Sequence, residues 1–307
     1  MPGHYDVSRE YVNIDNYSPF SHINEVSPRY RKTPFALHFI HYCGEIVPVH
    51  PDTFEDLGLD YGQVEKSILV FPTSSYRTVY DPQSNMCLKL PLKRHISRGI
   101  RDLPTRHLEK ALFVQRNIES LENFHFLEEE CYIFSDPNYN YIRRSMPETD
   151  VWPWFYVIRS QAFSKDFVLE AVANMIRAWM FFAKNDWFLE AHTQNLLVDQ
   201  QANVYYRDLS DVASFNRPEV KPRYLENIVS KQDAMSLVFD RTFCNQNLDH
   251  LFRYDTVLGE WGKQEIRNLI AEEMKKFGII MPDYSLDFDP NEPIRKSVKT
   301  QLVWWRQ

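Results

Sequence analysis

Residues 165–186, KDFVLEAVANMIRAWMFFAKND, read as a long and mostly buried helix. The stretch directly after it, EAHTQNLLVDQQANVYYRDLSD (190–211), constrains the fold most. Glu190, His192, Gln194 and Asn195 crowd into six residues, just before the apolar run Leu196–Leu197–Val198. A turn and a second strand at Val204–Tyr205–Tyr206 then lead into Arg207–Asp208. Polar groups packed this densely against a buried helix need partners. A hairpin of this length brings Asn195 and Asp208 side by side at its open end.

The bulk properties bound the rest. A chain of 307 residues makes one large domain or two moderate ones. At 44% hydrophobic and 15% aromatic it is a folded globular protein. A net charge of −7 argues against a general nucleic-acid partner. With 8 glycines and neither GxGxxG nor GxxxxGK[ST], any nucleotide is held without a glycine-rich loop of the usual kinds. Cys43, Cys87, Cys131 and Cys244 lie far apart without metal-ligand spacing, which reads as reduced thiols in a cytoplasmic protein. No apolar run has the length of a membrane span, and the N-terminus lacks a signal-peptide core.

Along the chain, 35–51 reads as strand-like and 67–92 as two strands around a turn at 81–85. Residues 105–124 have helical spacing, 131–148 reads as a hairpin, 222–277 is largely helical, and 294–305 forms a short last helix. The expected fold class is α+β with two lobes in a kinase-like palm arrangement. A strand-rich lobe (1–104) and a mainly helical lobe (105–307) carrying the EAHTQN and RD segments would flank a ligand cleft.

Three basic residues recur at an interval of twelve. In PTSSYRTV (72–79), strand alternation puts Ser75, Arg77 and Val79 on one face and Ser74, Tyr76 and Thr78 on the other. Arg77 beside a serine suits a phosphate or carboxylate, which a guanidinium grips as a charge-assisted fork. An exposed strand with a polar face is the alternative. Lys89 interrupts the apolar run CLKLPL, where the alternative is the solvated side of a half-buried strand. Arg101 comes next in HISRGIRDL, preceded by Ser97. Together the three could make a cationic pocket in an acidic protein. In the stretch 190–211, an acid, an Asn five residues later and an Asp after a strand-turn-strand match the order of kinase-type catalytic loops. There a carbonyl and a carboxylate converge on Mg²⁺, a hard cation that takes oxygen ligands. For His192 taken alone, a satisfied core histidine is the alternative.

These segments together resemble the NRPS-independent siderophore synthetases of the IucA/IucC type, in a shortened form. EAHTQNLLV is similar to that family's EAHxQN signature. FPTSSYRTVY…LKLPLKRHISRGIRDL resembles its HPTSSxRT…KLxL…ITSxxRxL block, both intervals of twelve included. VPVHP (47–51) resembles its PxHPWQ element with Asp52–Thr53 in place of Trp–Gln, YYRDLSD resembles its RD segment, and Gly3–His4 with DNYSPF resembles its N-terminal block. The resemblance covers roughly residues 1–210.

It implies a ligase that activates a polycarboxylate, citrate or a derivative, with ATP. An acyl-adenylate forms, pyrophosphate leaves, and an amine or alcohol attacks. It implies that the strand-rich lobe binds the nucleotide. Carried over, His4, Ser74, Ser75, Arg77, Thr78 and Lys89 contact ATP, and Gln194, Asn195 and Asp208 face the nucleotide, with Asn195 and Asp208 on Mg²⁺. Ser97, Arg101, His192 and Glu190 hold the carboxylate, and Lys89, Arg101 and His192 are the catalytic set. Positive charge at the α-phosphate is what adenylation needs as charge builds there. An arginine fork can hold the attacking carboxylate in line. Two rivals stay open: a kinase-like phosphotransferase, and a catalytically reduced binding or scaffold homologue. A shortened chain also leaves room for a homodimer or a partner chain to complete the site.

Overall fold

The computed structural model describes residues 5–10, 33–73, 75, 77–96, 99–254 and 257–278. His4, Ser74, Ser97 and the short helix expected at 294–305 lie outside the described residues, as does the side chain of Arg101. The fold is a mixture of strands and helices in two compact units. One unit takes Met1–Glu119 and Leu127–Trp152; the other takes Ser120–Phe126 and Pro153–Gln307.

The first unit is built on a seven-stranded antiparallel sheet. Its strands are β1 (Phe35–Tyr42), β2 (Glu45–Val49), β3 (Val64–Pro72), β4 (Thr78–Asp81) and β5 (Met86–Lys89). A separate hairpin, β6 (Leu92–Ile96) with β7 (Gly99–Arg101), comes next, and β8 (Glu129–Tyr132) and β9 (Tyr141–Ser145) then complete the sheet. The spatial order is β2-β1-β3-β4-β5-β9-β8. The strand-like stretch 35–51 is a hairpin of β1 and β2. Cys43 (φ 52°) and Gly44 (φ 84°) both adopt positive φ, the backbone a two-residue hairpin turn demands. His50 then starts a helix, Pro51–Asp56, with proline at its first position and the His50 ring accepting from the Asp52 N–H. One sheet face is apolar, with Leu37, Val70, Val79 and Leu88 packing on Phe54 of that helix. Each such burial stabilises the unit by roughly 1.5–3 kcal/mol. The other face packs beneath the helix Thr105–Asn117 through Ile142 and Leu108.

In the second unit the helix Lys165–Lys184 forms as expected. The Ser164 hydroxyl caps it by accepting from the Phe167 N–H. Its apolar side chains, Val172, Ile176, Trp179 and Phe182 among them, are buried. After it the chain turns at Asp186, held at φ 64°. The Asp186 carboxylate accepts from the Ser214 hydroxyl (2.7 Å), the Asn216 N–H (3.0 Å) and Arg217 (3.3 Å). That brings the short strand Phe188–Leu189 against Val212–Ala213. The hairpin of Leu196–Asp199 and Val204–Tyr206 is present, with Phe124–Phe126 added in parallel along its second strand.

Candidate functional site

The polar residues singled out by spacing fall into two clusters, one in each unit. In the first unit, β3 ends at Pro72 and β4 begins at Thr78, so no single strand carries the alternation expected over 72–79. The chain leaves β3 at Pro72, loops, and re-enters at Thr78. Thr73 closes the loop. Its N–H donates to the Thr78 carbonyl at 3.1 Å, and its hydroxyl donates to the same carbonyl at 2.9 Å while accepting from the Ser75 N–H at 3.2 Å. These three bonds through one threonine close the loop that carries Ser75 and Arg77. The Thr78 hydroxyl lies 3.4 Å from that of Ser75. Spacing did not mark Thr73 as a site residue; its signal was the position directly after the proline that ends β3.

Lys89 is not on a solvated strand face. It is 3% exposed and stands in register with Thr78 on β4 and with Ile142 on β9. Partners in an antiparallel ladder point to the same side. So Thr78, Lys89 and Ile142 make one row on the sheet face beneath the helix Thr105–Asn117. The next row holds the buried pair Arg144–Glu129, 2.5 Å apart. The Leu90 N–H donates to the Arg77 carbonyl at 2.6 Å, tying the loop to the strand that carries Lys89. The Arg77 guanidinium donates through Nη1 to the Asp102 carbonyl at 2.5 Å, which brings Arg77 to the residue after Arg101. Thr53 is fully buried and donates to the Pro91 carbonyl at 2.7 Å, so the VPVHP element anchors the backbone just beyond Lys89.

In the second unit, Glu190, His192, Gln194 and Asn195 form a tight bend held by its own backbone. The His192 N–H donates to the Glu190 carbonyl at 2.8 Å and the Asn195 N–H to the His192 carbonyl at 2.9 Å. Leu189, the residue before the bend, has its carbonyl fixed by the Trp179 indole N–H at 3.1 Å. Glu190 Oε2 lies 3.7 Å from His192 Nε2. The Tyr224 hydroxyl donates to Glu190 Oε1 at 2.5 Å, and the Tyr206 hydroxyl to the Glu190 carbonyl at 3.3 Å. Gln194 presents its carbonyl to Arg207 Nε at 2.7 Å, which joins the bend to the end of the hairpin.

Asn195 and the residue before Asp208 face each other across the open end of the hairpin, where the Arg207 N–H donates to the Asn195 carbonyl at 2.9 Å. The Asn195 side chain is held by Asp211, its amide nitrogen donating to Oδ2 at 2.8 Å. Asp211 was missed by spacing; its signal was the second acid of RDLSD. Asp208 sits at φ 94°, a backbone conformation that non-glycine residues adopt rarely, and its carboxylate accepts from the Ser210 hydroxyl at 2.6 Å. Such strain persists where surroundings over-determine it and clusters at functional sites.

The donor set can be tested against Mg²⁺. Among the described residues no group of three or more His, Cys, Asp or Glu could hold a metal by itself. Mg²⁺ takes one or two carboxylates with phosphate oxygens and water rather than a full protein cage. With the Asn195 nitrogen committed to Asp211, its carbonyl oxygen is the atom left to offer, alongside the Asp208 carboxylate. The residues present fit such a cation.

The IucA / IucC family model matches residues 46–177. The structure is similar to that of ATP-bound aerobactin synthetase IucA from a hypervirulent pathotype of Klebsiella pneumoniae, at TM-score 0.50 and 18% identity over 75% of this chain. A second structure of aerobactin synthetase IucA from the same source aligns at TM-score 0.42 and 15% identity over 77% of the chain. The chain spans about half the length of these solved relatives, 54% of each. No curated protein matches it in sequence.

Proposed function

From the premise that this chain belongs to the IucA / IucC family, we propose that it is an ATP-dependent carboxylate ligase of the siderophore-synthetase type. The observation that carries the reading is Lys89, 3% exposed and in register with Thr78 at the root of the loop bearing Ser75 and Arg77. An ammonium placed inside a sheet is costly, and sites that stabilise developing phosphate charge are where that cost is met.

The roles divide by chemistry. Ser75, Thr78, Arg77 and Lys89 bind the phosphates, and Ser74 and His4 are assigned with them by resemblance. Arg101, Ser97 and His192, with Glu190 behind the histidine, bind and orient the carboxylate. Gln194 faces the nucleotide, and Asn195 and Asp208 offer oxygens to Mg²⁺, which when bound neutralises phosphate charge. In the reaction a carboxylate oxygen attacks the α-phosphorus, the bond to the β-phosphate oxygen breaks, and pyrophosphate leaves. An amine or hydroxyl then attacks the acyl carbon and AMP departs. The substrate class is a di- or tricarboxylate, as the family resemblance implies, with Arg101 holding the attacking carboxylate in line. A two-lobed, kinase-like organisation belongs to this reading, as do a cytoplasmic setting and a second chain completing the site.

A pyrophosphate-release screen over di- and tricarboxylates with a panel of amines tests it. Pyrophosphate and AMP that require both a carboxylate and this chain are the expected products. Asn195 and Asp208 at the end of one hairpin also suit phosphoryl transfer, and ADP as product would select that reading.

A further inference from the structure

One short piece of chain joins Lys89 to Arg101, the residues assigned above to the phosphates and to the carboxylate. Lys89 ends β5, Leu92 begins β6, and Leu90 and Pro91 connect them. Leu92 stands in register with Arg101 on β7, so Arg101 is one ladder step from the residue after Pro91. Proline has no N–H to give to a ladder, and at Pro91 the chain passes from the large sheet to the β6–β7 hairpin. This joint is buried, with Leu90 at 0% and Leu92 at 1% exposure. A carbonyl in such a place needs a donor. Thr53, 0% exposed on the helix Pro51–Asp56, supplies one: its hydroxyl donates to the Pro91 carbonyl at 2.7 Å across 38 residues of sequence. On the other side of the joint, the Leu90 N–H donates to the Arg77 carbonyl at 2.6 Å.

We propose that Thr53 is a positioning residue: by holding the Pro91 carbonyl it fixes the spacing between Lys89 and Arg101, and with it the alignment of the attacking carboxylate on the α-phosphate. The inference rests on the reading in which those two residues hold the two ligands. Joining two bound ligands depends on the reacting atoms being held in line, and a small displacement is costly even when each ligand stays bound. Lys89 and Arg77 have further contacts of their own. Thr53 bonds neither side chain; it bonds the backbone between the two sites. The element that carries it is itself well fixed. The His50 ring accepts from the Asp52 N–H at 3.2 Å at the start of the helix, and Phe54 lies in the same core as Leu37, Val70 and Val79. A hydroxyl on such a support holds the carbonyl in one place, whereas a buried carbonyl stripped of its donor shifts to find another. The motif does not mark this residue, since Asp52–Thr53 is where the chain departs from the PxHPWQ element.

The test sets Thr53→Val, Thr53→Ser and Thr53→Ala against the wild-type full chain, each assayed below its own melting temperature. Threonine and valine match in shape, and serine and alanine nearly so. Each pair therefore isolates the hydroxyl, and the second pair serves if the valine variant does not fold. In steady-state pyrophosphate release, Thr53→Val and Thr53→Ala should lower kcat by roughly tenfold or more, with KM for ATP and for the carboxylate within about threefold of wild type, because each ligand keeps its own contacts and only their alignment is lost. Thr53→Ser should keep the wild-type kcat. A kcat that holds in the two variants without a hydroxyl, one that falls equally in Thr53→Ser, or a loss confined to one KM overturns the inference. Hydrogen exchange of the Leu90 amide, followed by NMR without ligands, needs no turnover. It should quicken by roughly fivefold or more in Thr53→Val and Thr53→Ala, measured against the Leu37 amide of the same sheet, and stay at the wild-type rate in Thr53→Ser. Unchanged Leu90 exchange in both variants without a hydroxyl overturns the inference. If the wild-type chain releases no pyrophosphate with any carboxylate, the functional reading fails, and Leu90 exchange alone decides whether Thr53 holds the joint.

Discussion

Replacing Lys89 with methionine separates a phosphate-binding lysine from a structural one. The side chain is 3% exposed, between Thr78 at 4% and Ile142 at 0% in one cross-strand row. Methionine keeps the length and most of the volume, so no cavity opens beneath the helix Thr105–Asn117. Removing one partner of a buried ion pair costs about 3–5 kcal/mol, so the melt reports how far Lys89 serves the fold. A lysine kept chiefly for phosphate should leave the apo melting temperature close to that of the wild type. Turnover should fall. Loss of one charge-assisted contact to a developing phosphate charge costs about 2–4 kcal/mol, roughly a 30- to 1000-fold fall in rate. The assay pairs a thermal melt with carboxylate-dependent pyrophosphate release. Turnover within about threefold of wild type, or a fold destabilised by several kcal/mol with proportionate loss of activity, would refute the reasoning.

The same geometry sets other outcomes. Arg101→Ala should raise KM for the carboxylate far more than KM for ATP, because a guanidinium fork grips the ground-state carboxylate; an equal effect on ATP would move Arg101 to the nucleotide. Asp208→Asn should shift the Mg²⁺ half-saturation upward with little change in apo melting temperature, whereas a large loss of apo stability with an unaltered metal response would make Asp208 structural. Glu129→Ala leaves Arg144 buried without its partner and should cost about 3–5 kcal/mol in urea unfolding, while Arg143→Ala breaks an exposed pair at 3.8 Å to Glu130 and should cost about 0–1 kcal/mol. Burial first, then the negative charge of Asp199 beside it, pushes the Tyr205 phenol from 10.0 to about 12. Burial also pushes Tyr80 from 10.0 to about 12. Since ionisation is disfavoured in the folded state, the stability these groups contribute is fully present below pH 10 and is lost as pH rises toward about 12. In an alkaline titration followed by tyrosinate absorbance, Tyr205→Phe should remove a late-titrating phenol; an unchanged upper limb of the curve would contradict that.

The helix at 165–184 and the hairpin after it were legible because their signals are local: a buried apolar period, then two short apolar strands around a turn. The helix at 51–56 was not read, although His50, Pro51 and Asp52 carry an N-cap, a proline at the first helical position and a first-turn acid. The alternation rule failed over 72–79 because β3 ends at Pro72 and Thr73 bonds to the Thr78 carbonyl, closing a turn between two strands. Lys89 looked like a solvated lysine from its neighbours alone. Its burial comes from Ile142, on a strand far along the chain, and from the helix that packs on the same face. Asp211 and Tyr224 were invisible to spacing for the same reason, since their partners Asn195 and Glu190 lie sixteen and thirty-four residues away. A motif displays its own members, whereas the residues that orient those members are chosen by the fold.

Carboxylate-dependent exchange of labelled pyrophosphate into ATP tests the central claim most directly, because it reports adenylation without requiring the nucleophile. With a suitable di- or tricarboxylate the wild-type chain should carry label into ATP, omission of the carboxylate should abolish it, and Lys89→Met should suppress it by the same roughly 30- to 1000-fold. Nucleotide binding with no exchange across the carboxylate panel, or ADP formation in its place, would contradict the account.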